Sequence, residues 1–357
     1  MISPTITIAI PVYNVEKYVE RSLLSALNQD ITVPYEILIL DDQGTDNSIK
    51  IVNRIKQEHE QGDIIRIIVN QKNKGQGETR NTAIDETHSK YLYFLDSDDW
   101  MTPDCLRLLY EKAEESDAEI THGSVDRIVE NTNKIFLSSL YTNCTIEHEA
   151  VGLYLFLQRK PIHIECWNKL FRVDFLRKHN IRCTHRVMED VVFEFRCACL
   201  AHKYAFVPQV TMNYYVREGS TLTEVRGKKG NDHTAFAFSD IPHVLRECIK
   251  NEFSKINGVW DYYAYKVMDM CRNLADSTYT ETQQLMIKHN LKGMMTEIPS
   301  IRYLSEPVDR FMYAVCLFKE NYHTYNYFRN IYWVKHQALL KRIFGSWPTK
   351  IKKFLSV

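Results

Sequence analysis

Asp96-Ser97-Asp98-Asp99 places three acids within four residues, directly after the apolar run Tyr91-Leu92-Tyr93-Phe94-Leu95. A strand ending that way crowds carboxylates at the rim of a sheet, where like charges repel unless a cation or a hydrogen-bond network holds them. Hard divalent cations such as Mg²⁺ or Mn²⁺ answer that need, because they accept carboxylate oxygen and share their shell with substrate phosphate. The bland alternative is a turn leading into a helix, since Asp and Ser favour both.

The elements that must position these acids are legible upstream. Residues 5–12 form a β-branched apolar run fit for a strand buried on both faces, and Pro11 ends it. Asn14 is expected to cap a helix reaching Gln29, with Val15, Tyr18, Val19, Leu23, Ala26 and Leu27 as its apolar stripe. Residues 35–40 read as a second strand, closed by Asp41-Asp42. Gly44, Thr45 and Asp46 turn the chain into a helix bearing Ile51, Val52 and Ile55.

A third strand follows at 64–69, and Gly75 and Gly77 open a helix carrying Arg80, Ala83 and Ile84. Residues 91–95 are the fourth strand, Thr102-Pro103 starts the next helix, and 118–122 is a candidate fifth strand. Strands alternating with helices predict an α/β fold with a doubly wound, mostly parallel sheet. Ligands of such sheets bind outside the carboxyl ends of the strands. Here those ends carry Tyr13-Asn14, Asp41-Asp42 and Asp96–Asp99. No GxGxxG follows the first strand and no Walker loop occurs, which argues against a dinucleotide or P-loop enzyme.

Composition narrows the class further. With 357 residues, 45% hydrophobic and 25% charged, the chain can bury one large domain plus an appendage, or two domains. Its formal charge is zero, so no global field points to nucleic acid. The nine cysteines are scattered without a CxxC pair, which fits free thiols in a reducing compartment. The start lacks signal-peptide character and no run of about 18 apolar residues occurs. A cytoplasmic location is expected, with peripheral contact at the cytoplasmic face of the inner membrane as an option. That option rests on residues 321–357, which hold seven Lys or Arg and no acid among Trp333, Leu339, Leu340, Ile343, Phe344, Trp347 and Phe354. Such a segment suits an anionic interface, at about 1 kcal/mol per basic residue, or equally a helix pair capping the main domain.

PVYN (11–14), LDDQGTDNS (40–48), NKGQGETRN (73–81) and FLDSDD (94–99), in that order, resemble family 2 glycosyltransferases. A weaker block runs from Trp167-Asn168-Lys169-Leu170-Phe171 through Met188-Glu189-Asp190 to residues 214–220. The resemblance implies a GT-A fold with a C-terminal helical extension. It also implies inverting transfer of a sugar from a nucleotide diphosphate, UDP favoured, to a glycan or lipid-linked acceptor in surface polysaccharide synthesis. A catalytic domain is expected over 1–225, split into a nucleotide half (1–125) and an acceptor half (126–225), with a helical region over 226–357.

Carried over residue by residue, the resemblance puts Pro11, Tyr13 and Asn14 beside the nucleobase and Asp42 on the uracil imide. Gly75 and Gly77 would let backbone approach the ligand, and Arg80 would neutralise the diphosphate or help read the base. Asp96 would reach the ribose or waters on the metal, Ser97 would belong to the nucleotide-sugar site, and Asp98, Asp96 and Asp99 would hold Mn²⁺ or Mg²⁺. Alternatives stand beside these roles: Asn14 as a helix cap, Asp41 as a turn residue, Asp99 as a turn start, and Arg80 paired with Glu78 or Asp85 on a solvated face. A third metal ligand has no obvious source, since His185 and His202 are poorly placed.

The acceptor's proton needs a base, and the resemblance points to Asp190 with Glu189 beside it. Both open a helical pattern whose dipole would lower the carboxyl pKa and keep the base ionised. Trp167 and residues 214–220 would wall the acceptor side, or Trp167 would be core. Two other readings remain: a sugar-phosphate nucleotidyltransferase, whose basic Gly-rich signature is missing after the first strand, and an inactive nucleotide-sugar-binding scaffold subunit.

Overall fold

The computed structural model describes residues 3–130, 134–157, 165–184, 189–217, 241–256, 259–260 and 262–263. The basic tail 321–357, most of the expected C-terminal region, Met188, His185 and residues 218–220 lie outside the described residues.

The first half is built as its periodicity dictates. β1 (Ile6–Val12) is buried along its whole length and pairs in parallel with β2 (Tyr35–Asp41) and β4 (Tyr91–Phe94); β3 (Ile65–Val69) extends the sheet beyond β2. Alternate residues serve opposite layers. Ile8, Ile10, Ile37 and Ile39 pack with α1 (Val19–Leu27), α2 (Ser48–Glu58) and α4 (Cys105–Ser116). Ala9, Leu38 and Leu40 pack on the other face with α3 (Gln76–Glu86), α5 (Val151–Leu157), α6 (Val173–Lys178) and α7 (Asp190–Leu200). Each fully buried aliphatic side chain contributes roughly 1.5–3 kcal/mol, so the two layers fix this half.

Beyond β4 the sheet becomes mixed. Its order is β3-β2-β1-β4-β9-β6-β10-β5, with β7 (Lys134–Ser139) on β6 and β8 (Cys144–Glu147) on β10. β9 (Lys169–Arg172) runs antiparallel to both β4 and β6 (Ile120–Val129), β10 (Lys203–Val216) is parallel to β6, and β5 (Trp100–Met101) is antiparallel to β10. The parallel pairing expected from the sequence holds among the first four strands and recurs between β6 and β10. The candidate fifth strand proves twice as long, because Asp126 and Arg127 hydrogen-bond Ser138 and Ser139 of β7 and so tolerate a strand interior.

Helix α1 begins at Val19, not at Asn14. Asn14 adopts φ 53°, and the amides of Val15 and Glu16 donate to Ser48 Oγ and Asp46 Oδ2. The segment after β1 thus fastens to the loop after β2 before any helix starts.

The Trp167-Asn168-Lys169 motif is structural. Trp167 stacks on Tyr214 at 5.3 Å between ring centroids and is buried, which makes it core rather than a free acceptor wall. Asn168 Nδ2 donates to the Gly123 and Ser124 carbonyls, and its Oδ1 accepts from Thr211 Oγ1 at 2.7 Å. Lys169 Nζ pairs with Glu194 Oε1 of α7 at 2.8 Å in the interior.

That knot has a measurable consequence. A Cβ on Gly123 would fall 1.7 Å from Thr211 Oγ1, where β10 shifts register against β6. Gly123→Ala is expected to lower stability by about 1–3 kcal/mol, the usual cost of overpacking, visible as a lower denaturant midpoint. An unchanged midpoint would mean that the β6–β10 contact is looser than drawn.

Candidate active site

The carboxyl ends of β1, β2 and β4 form one side of the site, and the start of α7 forms the other. Tyr13, just past β1, leaves its ring 48% exposed, while Pro11 is buried within the strand. Asn14 Oδ1 accepts from the Thr45 amide at 2.7 Å, and a Cβ on Gly44 would sit 2.9 Å from the Asn14 nitrogen. Gly44 is therefore required for that close approach, and Asn14 acts as a loop clasp instead of the expected cap.

Asp41 accepts the Gln43 amide in a local turn. Asp42, only 3% exposed, ties two loops together. Its Oδ1 accepts from Asn70 Nδ2 at 2.8 Å and from the Lys74 amide at 2.9 Å, and its Oδ2 accepts from the Gly75 amide at 2.9 Å. Gly75 sits at φ 84°, a backbone state an L side chain rarely adopts, and from there α3 starts. Gly77 is buried in the first turn of α3. A carboxylate oxygen has two lone-pair sites, so Oδ2 retains one for a ligand donor.

Arg80 does not lie on a solvated face. It is 2% exposed, donates through Nη2 to Asp96 Oδ1 at 2.6 Å, and through Nη1 to Glu189 Oε1. It pairs with neither Glu78 nor Asp85; both terminal nitrogens are engaged by the Asp96 and Glu189 carboxylates. Burial opposes its charge, but the Asp96 and Glu189 carboxylates outweigh that and hold the guanidinium protonated. Arg80 is thus a strut between the acidic end of β4 and the head of α7.

The acidic cluster divides by environment. Asp96 Oδ1 also accepts from Gln76 Nε2 at 3.0 Å, and Ser97 is buried in the turn. Asp98 Oδ2 accepts from Arg217 Nε at 2.8 Å, and the Asp98 carbonyl accepts from Arg21 Nη2 at 2.9 Å. Burial and the Asp96 charge push the Asp98 carboxyl up in spite of Arg217. Asp99 is fully buried; its Oδ1 accepts the Tyr215 amide at 2.7 Å, and burial with Asp98 and Asp96 drives its pKa well up. Through that bond to the Tyr215 amide Asp99 also supports β10.

Asp96 and Asp98 do fit a hard cation, because their mutual repulsion is only partly offset by arginine. Among the described residues no group of three or more His, Cys, Asp or Glu is arranged to hold a metal. Two carboxylates completed by water and substrate phosphate are nonetheless the usual protein share for Mg²⁺ or Mn²⁺. His202 lies on the β8–β10 side, where its carbonyl accepts the His148 amide.

At the opposite wall Asp190 opens α7. Burial first, then Glu189, raises its pKa to about 8, with Arg80 pulling the other way. The helix dipole was expected to lower it; desolvation wins, since a terminal dipole is worth only about 0.3–1 kcal/mol. No sequence signal assigned a role to Gln76 or Arg21, and Arg217 entered only as part of the acceptor-side segment 214–220. Arg217 and Asp98 are 119 positions apart, and no local pattern links them.

Comparison with known proteins agrees with this geometry. Residues 7–180 match the family model for glycosyl transferase family 2. EpsH of Bacillus subtilis is 28% identical over 236 residues, covering 64% of this chain and 65% of its own. The poly(ribitol-phosphate) beta-glucosyltransferase of Bacillus spizizenii is 30% identical over 224 residues, 61% of this chain and 33% of its own. The chain thus spans less than two thirds of either relative. The crystal structure of S. aureus TarS 1-349 in complex with UDP-GlcNAc shares the fold, with a TM-score of 0.70 at 17% identity over 94% of this chain and 92% of that one.

Proposed function

From the premise that residues 7–180 form a glycosyl transferase family 2 domain, we propose that the chain is an inverting glycosyltransferase. It moves a sugar from a UDP-sugar to a glycan or lipid-linked acceptor in surface polysaccharide synthesis. The observation that carries this reading is the Arg80 strut, which brings the acids after β4 and the acids heading α7 together at one place. A donor diphosphate on one wall and a base on the other is the arrangement direct displacement requires. The poly(ribitol-phosphate) beta-glucosyltransferase relative and the UDP-GlcNAc complex of TarS favour the surface-polymer setting and the UDP donor.

The exposed Tyr13 ring offers the nucleobase a stacking face, with Pro11 and Asn14 shaping its border. Asp42, by holding the 73–75 loop, forms the floor beneath the base and keeps an acceptor site for an imide N–H. Asp96 and Asp98 would hold Mn²⁺ or Mg²⁺. Such an ion, when bound, neutralises the leaving diphosphate. Asp190 takes the acceptor hydroxyl's proton as the new bond forms at the anomeric carbon. Glu189, locked by Arg80, fixes the start of α7 so that Asp190 stays at the site. Among the described residues no helix is long and apolar enough to cross a membrane.

The test is a panel of nucleotide sugars with Mn²⁺, with and without EDTA, read by thermal shift and nucleotide diphosphate release. Stabilisation by one UDP-sugar, lost with EDTA, together with product of opposite anomeric configuration by NMR, is the expected result. No stabilisation by any nucleotide would sink the assignment.

A further inference from the structure

We propose that the Arg217 guanidinium and the divalent cation compete for the Asp98 carboxylate, so that Arg217 is the counter-ion of the site before metal arrives. The inference rests on the proposed function, in that it takes Asp96 and Asp98 as the cation's protein ligands.

Three observations support it. Arg217 Nε donates to Asp98 Oδ2 at 2.8 Å, with both side chains mostly buried. Its guanidinium also lies over the Tyr18 ring, 4.6 Å from the centroid, so its position is set by more than one contact. Such a pair is held more firmly than exposed pairs, which contribute little. Meanwhile the Asp98 backbone is pinned from the other side. Arg21 donates to its carbonyl while packed over Trp100 at 3.8 Å and Tyr215 at 4.3 Å. The carboxylate is therefore presented at a fixed point, and whatever cation neutralises it must come to that point.

An arginine and a hard metal ion cannot both satisfy the same oxygen at full strength. The guanidinium's bond to Oδ2 excludes an ion of short oxygen contact from that lone pair, and its own charge repels the arriving cation. The competing pair also answers a problem of the cluster itself. With Asp96 nearby and Asp99 behind, an unoccupied Asp98 would be an uncompensated buried carboxylate, which is costly. Arg217 directly follows β10, and Asp98 lies two residues before β5, which pairs with β10; that pairing brings the two segments together although they are distant in sequence.

The experiment titrates Mn²⁺ into the nucleotide-free full chain and reads free Mn²⁺ by electron paramagnetic resonance. Arg217→Gln and Arg217→Ala, the latter guarding against a new hydrogen bond from glutamine, are each expected to bind Mn²⁺ about tenfold more tightly than wild type. That is the effect of removing one charge-assisted hydrogen bond that metal must break. Arg217→Lys should fall between, and Asp98→Asn should abolish the gain when combined with Arg217→Gln. Equal or weaker binding by both Arg217 variants, with unchanged thermal melts, overturns the inference. No saturable Mn²⁺ binding by any form, while UDP still raises the melting temperature, overturns the cation site and this inference with it but leaves nucleotide-sugar binding standing. Loss of the UDP response as well would remove the functional reading on which both depend.

Discussion

Asp190→Asn is expected to reduce sugar transfer by roughly 10²–10⁴-fold while UDP-sugar binding stays close to wild type, because a positioned base contributes about that much and touches only the acceptor side. The asparagine keeps the shape and the start of α7 but cannot take a proton. Wild-type kcat/KM should rise with pH along a limb near pH 8, where burial and Glu189 place the Asp190 carboxyl in the free chain. The variant's residual rate should lack that limb. Stability moves the opposite way. The folded chain holds the Asp190 proton up to about pH 8, whereas the unfolded chain releases it near the ordinary Asp value of about 3.9. Between those values the folded state binds more protons, so the group's contribution makes wild-type stability fall as pH rises. Asp190→Asn, having no such proton, should therefore gain melting temperature relative to wild type from pH 4 to pH 8 and no further above it. Transfer at wild-type rates by Asp190→Asn would remove Asp190 from the mechanism; a constant stability gap across pH would show that its carboxyl is not held up by burial.

Arg80→Met should be the most damaging single change to the fold near the site. Methionine fills similar volume but leaves Asp96 Oδ1 and Glu189 Oε1 without their shared cation. Breaking a buried ion pair by removing one partner costs about 3–5 kcal/mol, a large part of a domain's stability. Removing that charge also takes away the one named influence that lowers the Asp190 pKa, so the activity limb should move above pH 8 in whatever protein folds. Arg80→Lys supplies charge without the two-pronged fork and should recover part of the stability but not both hydrogen bonds. The readouts are the denaturant midpoint and the pH profile at a permissive temperature. A variant with wild-type stability would mean that the bridge is not formed in solution. One with lowered stability but an unmoved limb would confine Arg80 to holding the fold.

Much of this protein was determined by its sequence alone. Near-continuous apolar runs in 6–12 and 35–41 demand burial on both sheet faces, and the intervening amphipathic segments supply the covering helices. Strand-and-helix alternation then places Tyr13, Asp42 and Asp96–Asp98 at one edge, because strand ends in a parallel sheet converge. Those are local signals: period, turn residues, and acids following a strand. What the tertiary structure decided are the partners. Arg80 bridges positions 16 and 109 residues away, Arg217 meets Asp98 across 119, and Asp42 clasps a loop some thirty residues on. No periodicity encodes which arginine reaches which carboxylate. The change of sheet polarity at β9 was hidden likewise, since the pairing of a four-residue strand depends on neighbours distant in sequence. The Asp190 pKa followed the same rule: its helix position was legible, but its sign was set by desolvation, which arises only when distant segments close over the group.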